Sequence, residues 1–353
     1  MKYVMPQAGR AALDFLASLS TVGRDLTAPQ ESALDKAGLS EDKLADDLGA
    51  RAQQIEGVLA DVPAWRVANL MGEWHAVHHG PLAVEAFTPI ADALKPQFAR
   101  AQQGPTTLTA DPDFTPPKYW LYPIHRTAGG WDAHEDFGFI HGEFLQRYIL
   151  SKIPRPPAAG NAPADLYEQR RLVAEEAPRL DYHDIFEIGC SSGPYTLKLA
   201  QVFPQAQITA CDISHAQLLQ AQRNANAAGL SWRLIQADGA ASTLSDASQD
   251  LVTSYIVLHE LPVEAIRDIV REAFRVLRPG GDLLFGDVAP YRAMTKRAAW
   301  RTDYLATYGG EPFWRGASTL DMAAVLTEAG FVDTKSYGLQ PGNYPWVTYG
   351  RKP

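Results

Sequence analysis

Apolar side chains follow two regimes along the chain. Up to about residue 103 they keep helical spacing. Ala11, Leu13, Phe15, Leu16 and Leu19 form one amphipathic segment, and Leu34, Leu39, Leu44, Leu48, Ile55, Val58 and Leu59 mark others. Gly23, Gly38, Gly49, Pro63, Gly80 and Pro96 punctuate these segments, so helices are expected to break near them. From Gly104 to Gly130 the pattern gives way to Pro, Thr, Asp and aromatic residues, a long irregular connection of the sort that often forms a lid. A further helix is expected from Trp131 to Ile149, and the run IPRPPAAGNAP then reads as an extended linker.

From Asp165 onward, short apolar runs alternate with helical patterns, as in a parallel sheet covered by helices. A helix from Asp165 to about Ala177 precedes seven expected strands. They are Ile185 to Ile188, Ile208 to Asp212, Trp232 to Ile235, Leu251 to Val257, Asp282 to Val288, Val332 to Tyr337 and Trp346 to Tyr349. The turn around Gln340-Pro341-Gly342-Asn343 is too short for a crossover helix, so the last two strands should pair antiparallel. The domains expected are residues 1–152, mainly helical, a linker at 153–164, and an α/β domain at 165–353.

Charge and cysteine content narrow the class. A formal net charge of -9 supplies no global basic field, which argues against tight binding to a nucleic-acid backbone. Cys190 and Cys211, the two cysteines, have no spacing suited to a disulfide framework or a structural zinc site, which fits a reducing, cytoplasmic setting. No run of 18 apolar residues occurs, so neither a membrane span nor a signal peptide is expected.

The chemistry centres on Ile185-Phe186-Glu187-Ile188-Gly189-Cys190-Ser191-Ser192-Gly193-Pro194, a strand, a tight loop and a helix start. Gly189 and Gly193 let a ligand approach the backbone and permit positive φ. A dinucleotide fingerprint would need three glycines against the pyrophosphate, and Pro194 removes one N–H donor, so a phosphate ligand is disfavoured. Asp212 closes the second strand and suits ribose hydroxyls, a property shared with NAD enzymes. Gln236-Ala237-Asp238-Gly239 follows the third strand. The fourth ends Thr253-Ser254-Tyr255-Ile256-Val257-Leu258-His259-Glu260-Leu261-Pro262, and Arg278-Pro279-Gly280-Gly281 turns into the fifth.

In this order and spacing, over roughly residues 183–290, these motifs resemble those of class I S-adenosylmethionine-dependent methyltransferases, with a fourth-strand ending like that of the small-molecule branch. The resemblance implies a seven-strand Rossmann-like sheet, six strands parallel and one antiparallel, beside the helical N-terminal domain. It implies S-adenosylmethionine as cofactor. The methionine part would face Glu187 and the loop Gly189, Cys190 and Gly193; Asp212 would hold the ribose, Asp238 and Gly239 would lie at the adenine, and Ile213 and Tyr255 would also touch the cofactor. Cys190 also reads as a small loop residue and Cys211 as a core residue.

Methyl transfer from a sulfonium is an in-line displacement that needs alignment and dryness, and a base only when the acceptor must lose a proton. His259, at the carboxyl edge of the sheet, is the candidate base, and Glu260 a weaker one. Each has a plainer reading, His259 as a packing or capping residue and Glu260 as a solvated carboxylate. The Asn/Asp-Pro-Pro-aromatic motif of base-amine methylation is missing, and the two cysteines suit neither cytosine C5 nor arsenic methylation. A small organic acceptor is left.

Two aromatic and histidine-rich segments are candidates for its pocket: Tyr291, Trp300, Tyr304 and Trp314 after the fifth strand, and Trp74, His78, His134 and His141 in the N-terminal region. His75 and His79 lie at metal-ligand spacing on one helix face, but nothing in the sequence brings a third ligand to them, and no metal is expected. The expected activity is methylation of oxygen, nitrogen or carbon on a small acceptor. The alternatives are an elimination or rearrangement assisted by the same cofactor, or an inactive cofactor-binding partner subunit. An NAD-dependent oxidoreductase is a more distant one. The helical N-terminus suits a lid or a homodimer interface.

Overall fold

The computed structural model describes residues 2–127, 130–149, 152, 166–339 and 343–353. The expected linker at 153–164 and the turn residues 340–342 lie outside the described residues.

Five helices open the chain: α1 (Gln7–Asp25), α2 (Thr27–Lys36), α3 (Leu48–Leu59), α4 (Pro63–Phe87) and α5 (Ala91–Gln102). Local chemistry accounts for the starts of α3 and α4. The Asp47 side chain accepts from Ala50 N and caps α3, and Pro63 occupies the first turn of α4, where no N–H is needed. Three expected breaks are absent: α1 passes through Gly23, α4 through Gly80-Pro81 and α5 through Pro96. At Gly80 the reason is tertiary, because Thr127 of the following connection packs where a side chain would stand, 3.2 Å from the Cβ position. Leu13, Leu16, Phe87, Leu94 and Phe98 form the core of this region together with Phe137, Phe139 and Phe144. The last three belong to a short helical turn, Phe137–Phe139, that runs into a π-helix, Ile140–Ile149. The single helix expected from Trp131 is therefore replaced by a later and looser one.

The sheet has eight strands, one more than expected. They are β1 (Thr107–Thr109), β2 (Asp184–Ile188), β3 (Gln207–Asp212), β4 (Arg233–Gln236), β5 (Gln249–Tyr255), β6 (Leu277–Asp287), β7 (Val332–Gly338) and β8 (Trp346–Arg351), in the order β1-β4-β3-β2-β5-β6-β8-β7. β8 runs antiparallel to β6 and β7, as the hairpin argument required, and the other pairings are parallel. The extra strand comes from the segment expected to be irregular. Three residues carry no legible alternation, and β1 is fixed by partners distant in sequence. Thr107 N donates to Trp232 O at 2.9 Å, Thr106 Oγ1 to Leu230 O at 2.8 Å, and Thr106 N to Asn226 Oδ1 at 3.0 Å.

Helices α6 (Leu166–Glu175), α7 (Pro194–Val202), α8 (His215–Ala227) and α9 (Val263–Val276) cover the sheet. The N-terminal region is clasped to it twice. Along α8, Arg223 Nη1 donates to Asp136 Oδ1 at 3.1 Å, both side chains being buried, and its guanidinium lies 3.9 Å from the Phe98 ring centroid. Further on, α10 (Lys296–Gly309) packs against α2 and α3. Trp300 fills a core with Leu34, Leu44, Ile55 and Leu59, while Arg297 and Arg301 pair with Glu31.

Candidate functional site

A cavity of about 460 Å³ lies at the carboxyl ends of β2 to β5, where open α/β sheets bind ligands. Glu187, Gly189, Cys190, Asp212, Ile213, Asp238, Gly239 and Tyr255 all line it, together with His259, Glu260 and His141. Its roof comes from the N-terminal half: His75 and His79 of α4, Tyr119, His125 and Trp131 of the aromatic connection, and Phe137, His141, Leu145 and Gln146.

The floor follows from local sequence. Gly189 has φ 71°, and a Cβ there would stand 2.6 Å from Val257 Cγ2, so protein packing demands glycine as much as any ligand does. Gly193, at φ 82°, is held under the Trp232 ring. Asp212 accepts from Ser191 N through Oδ2 and from Ser214 N through Oδ1, both at 2.8 Å. Burial nevertheless pushes its pKa up to about 6. Burial also pushes Glu187 up to about 8, and its Oε2 is buried with no hydrogen-bond partner. Asp238 Oδ1 accepts from Ala240 N at 2.9 Å and from the Tyr119 hydroxyl at 3.4 Å, which ties the roof to the floor.

At the opposite wall, His259 Nδ1 is 2.7 Å from Asp287 Oδ1. Asp287 is itself held by the N–H groups of Val257, Leu258 and Val288 at 2.7 to 3.0 Å. Burial alone would lower the imidazole pKa, but the Asp287 carboxylate outweighs it and raises it to about 9. The Trp314 ring packs edge-on against His259 at 4.6 Å between centroids. Glu260 accepts from Trp131 Nε1 at 3.3 Å and lies 3.4 Å from His125 Nε2, while His125 Nδ1 is 2.8 Å from Glu311. Burial opposes charge on His125, yet the two glutamates raise its pKa to about 10.

Burial disfavours charge on three other histidines of the cavity. Burial takes His75 down to about 4 and His141 to about 3, and lowers His79. His75 and His79 stack at 5.3 Å, with His79 Nδ1 3.1 Å from His75 O, and among the described residues no group of three or more His, Cys, Asp or Glu is arranged to hold a metal ion.

Of the eight acceptor-pocket candidates, His141 lines the cavity. Trp74 stacks on His78 at 4.3 Å and edges Phe15; the Nδ1 of His134 accepts from Asp136 N, and its ring edges Phe87. Trp300 and Tyr304 belong to the core shared with α2 and α3, and the Tyr291 hydroxyl donates to Asp303 at 2.9 Å. Trp314 stands behind His259 and not in the cavity wall. The aromatic insert thus serves mainly to fasten the N-terminal helices. Asp287, His125, Arg170 and Trp131 were not singled out from sequence. A carboxylate at the end of a strand was a legible signal for Asp287, whereas the other three have no local one.

A family model described as "Methyltransferase domain" matches residues 185–281. Three relatives named malonyl-[acyl-carrier protein] O-methyltransferase come from Paenibacillus sp., Legionella pneumophila and Hahella chejuensis. They are 33%, 31% and 32% identical over 58%, 39% and 33% of this chain, and over 67%, 51% and 40% of their own length. The chain thus spans about two thirds of the first relative, about half of the second and two fifths of the third. A solved structure from Nostoc punctiforme, provisionally an O-methyltransferase, matches 96% of this chain and 98% of its own with a TM-score of 0.50 at 13% identity, a likeness of fold.

Proposed function

The chain belongs to the class I S-adenosylmethionine-dependent methyltransferases, and from that premise we propose that it methylates a hydroxyl oxygen of a small organic acceptor, with His259 as the base. When bound, S-adenosylmethionine supplies an electrophilic methyl on a sulfonium. The residues of the cavity suit the cofactor: Asp212 for the ribose hydroxyls, Asp238 for the adenine amine, and the buried carboxylate of Glu187 for a positive charge.

The observation that carries the oxygen reading is the His259–Asp287 pair. With Nδ1–H directed at Asp287, the neutral imidazole keeps its lone pair on Nε2, and the raised basicity favours taking a proton from a hydroxyl. The O–H bond then breaks to His259 Nε2 as the oxygen takes the methyl, and Asp287 stabilises the imidazolium. A carboxylate acceptor is already ionised near neutrality and would leave this pair without a task. Trp131, Phe137 and Tyr119 line the cavity with aromatic side chains, which favour the exclusion of water.

The test is turnover of hydroxylated small acceptors with S-adenosylmethionine, followed by mass spectrometry. S-adenosylhomocysteine should form in step with a product heavier by one methylene unit, and His259→Ala should abolish that product. Equal turnover by His259→Ala would reject the hydroxyl reading in favour of an acceptor that needs no base.

A further inference from the structure

Two histidines of the roof line the cavity with no part in holding the cofactor or in the base. His75 and His79 stand one turn apart on α4, and their rings stack nearly parallel, 5.3 Å between centroids and 7° between planes. Both are half-buried, and burial disfavours charge on both. His79 Nδ1 lies 3.1 Å from the His75 carbonyl oxygen, which can only accept. The proton of the neutral ring therefore sits on Nδ1, and Nε2 keeps its lone pair. Among the described residues no side chain hydrogen-bonds to that Nε2. A chain of contacts relates this atom to the base. His259 Nε2 lies 4.0 Å from Glu260 Oε1, which lies 3.4 Å from His125 Nε2, and the charge of His125 in turn disfavours an imidazolium at His79. Along this path Glu260 and His125 intervene between the base and α4.

The chemistry of that end of the cavity selects among acceptor groups. His125 is already held by Glu260 and Glu311, so a carboxylate on the acceptor would meet a lone pair at His79 beside a cation that is engaged elsewhere. An ammonium would meet the charge of His125. A hydroxyl suits the place, because it donates to Nε2 and brings no charge into a half-buried setting. Trp120, Ile124, Trp131 and Phe137 line the same cavity and suit an apolar frame. Resting on the hydroxyl reading above, we infer that the acceptor is a neutral aromatic diol whose second hydroxyl lies at the end of the frame remote from the reacting one, and that His79 reads it through Nε2. His75, stacked on that ring, holds it in place. His79 is thus a specificity-determining residue. The product follows from the same contact. Methylation removes the O–H bond at one end, so a monoether that re-enters the site the other way round presents a methyl ether to His79, which cannot donate. The reaction should therefore stop after one methyl.

Matched acceptors on two frames test this. Para-phenylphenol has one hydroxyl, the symmetrical biphenyl diphenol adds a second at the far end, and the monomethyl ether of that diphenol keeps the oxygen but not its proton; a naphthol, its far-edge diol and the monoether of that diol form the shorter set. With the unaltered protein, on the frame that fits, the diol should exceed both the monophenol and the monoether in kcat/KM by about threefold to tenfold, beyond the doubling that two equivalent ends give, and chiefly through KM. The monomethylated product should accumulate before any second transfer. In His79→Phe, which keeps a ring stacked on His75, the ratio of diol to monophenol should fall to that doubling. Each ratio is taken within one protein, so a loss of folded enzyme cancels. Equal use of diol, monophenol and monoether on both frames, or a preference for the diol that survives His79→Phe, would overturn the inference. An unaltered protein that binds S-adenosylhomocysteine but methylates none of these hydroxyls would overturn the hydroxyl reading on which it rests.

Discussion

His259 Nδ1 and Asp287 Oδ1 are 2.7 Å apart, and the carboxylate is fixed by three backbone N–H groups, so the ring has one orientation and one basic edge. The base form of His259 exists above its pKa, which Asp287 raises to about 9. In the free enzyme kcat/KM should therefore climb with pH up to that region. Asp287→Asn should move the limb down toward the ordinary imidazole value of about 6.5. It should also lower the plateau by about a hundredfold or more, the usual scale of general-base catalysis. Superimposable pH–rate profiles for the two proteins would remove His259 from the mechanism.

Cofactor affinity should depend on Asp212. Asp212→Ala removes the acceptor expected for ribose hydroxyls and should weaken S-adenosylhomocysteine by about 1–3 kcal/mol. Because burial raises this carboxyl to about 6, affinity should also fall as pH drops through that value. Calorimetry at pH 5 and pH 8 checks both effects, and affinity unchanged by the substitution would argue against the assignment.

The roof is latched by His125, whose raised pKa means that its ion pairs with Glu260 and Glu311 contribute most below the unfolded value near 6.5 and fade as pH rises through about 10. The side chain is 35% exposed, so solvent screens the pairs. Glu311→Gln should cost about 1 kcal/mol at pH 7, roughly 2 °C in melting temperature, and less at pH 10.5. Melting curves at the two pH values decide it; an equal loss at both would show that the pairing carries no stability.

Trp300 is 1% exposed, and its Nε1 donates to Glu56 Oε1 at 3.1 Å. Trp300→Ala should destabilise the protein by about 3–5 kcal/mol, the usual cost of emptying a buried aromatic site. At a temperature where the variant is folded, KM for the acceptor should be unchanged. A raised KM with unaltered stability would return Trp300 to the acceptor pocket.

What could be read along the chain was the chemistry that a single strand–loop–helix unit carries. The glycines and carboxylates between Glu187 and Asp238 end their strands or follow them closely, so their local pattern brings them to one edge of the sheet. β8 was legible because a short turn admits one pairing geometry. Features made by elements far apart in sequence were hidden. The aromatic spacing of Trp300 and Tyr304 is the same for a pocket wall as for a stripe seated on α2 and α3, and the tertiary partner decides between them. His125 has φ 55°, and its left-handed backbone is set by Gly310 O accepting from His125 N at 3.0 Å, a contact across nearly two hundred residues. Gly80-Pro81 looked like a break because helix propensity is local, whereas the packing of Thr127 against it is not.

The clasp between Arg223 and Asp136 bears on how such a chain can diversify. One partner lies in the segment that roofs the cavity and the other in the helix after Asp212, and removing either leaves a buried charge without its counterion. A Cβ on Gly138 would run into the carbonyl of Ala216 at the same seam. Recombination that exchanges the first 149 residues for those of a relative should thus yield folded hybrids only when residues 215–227 travel with them. Acceptor range and the nucleoside-binding helix would be inherited as a linked pair.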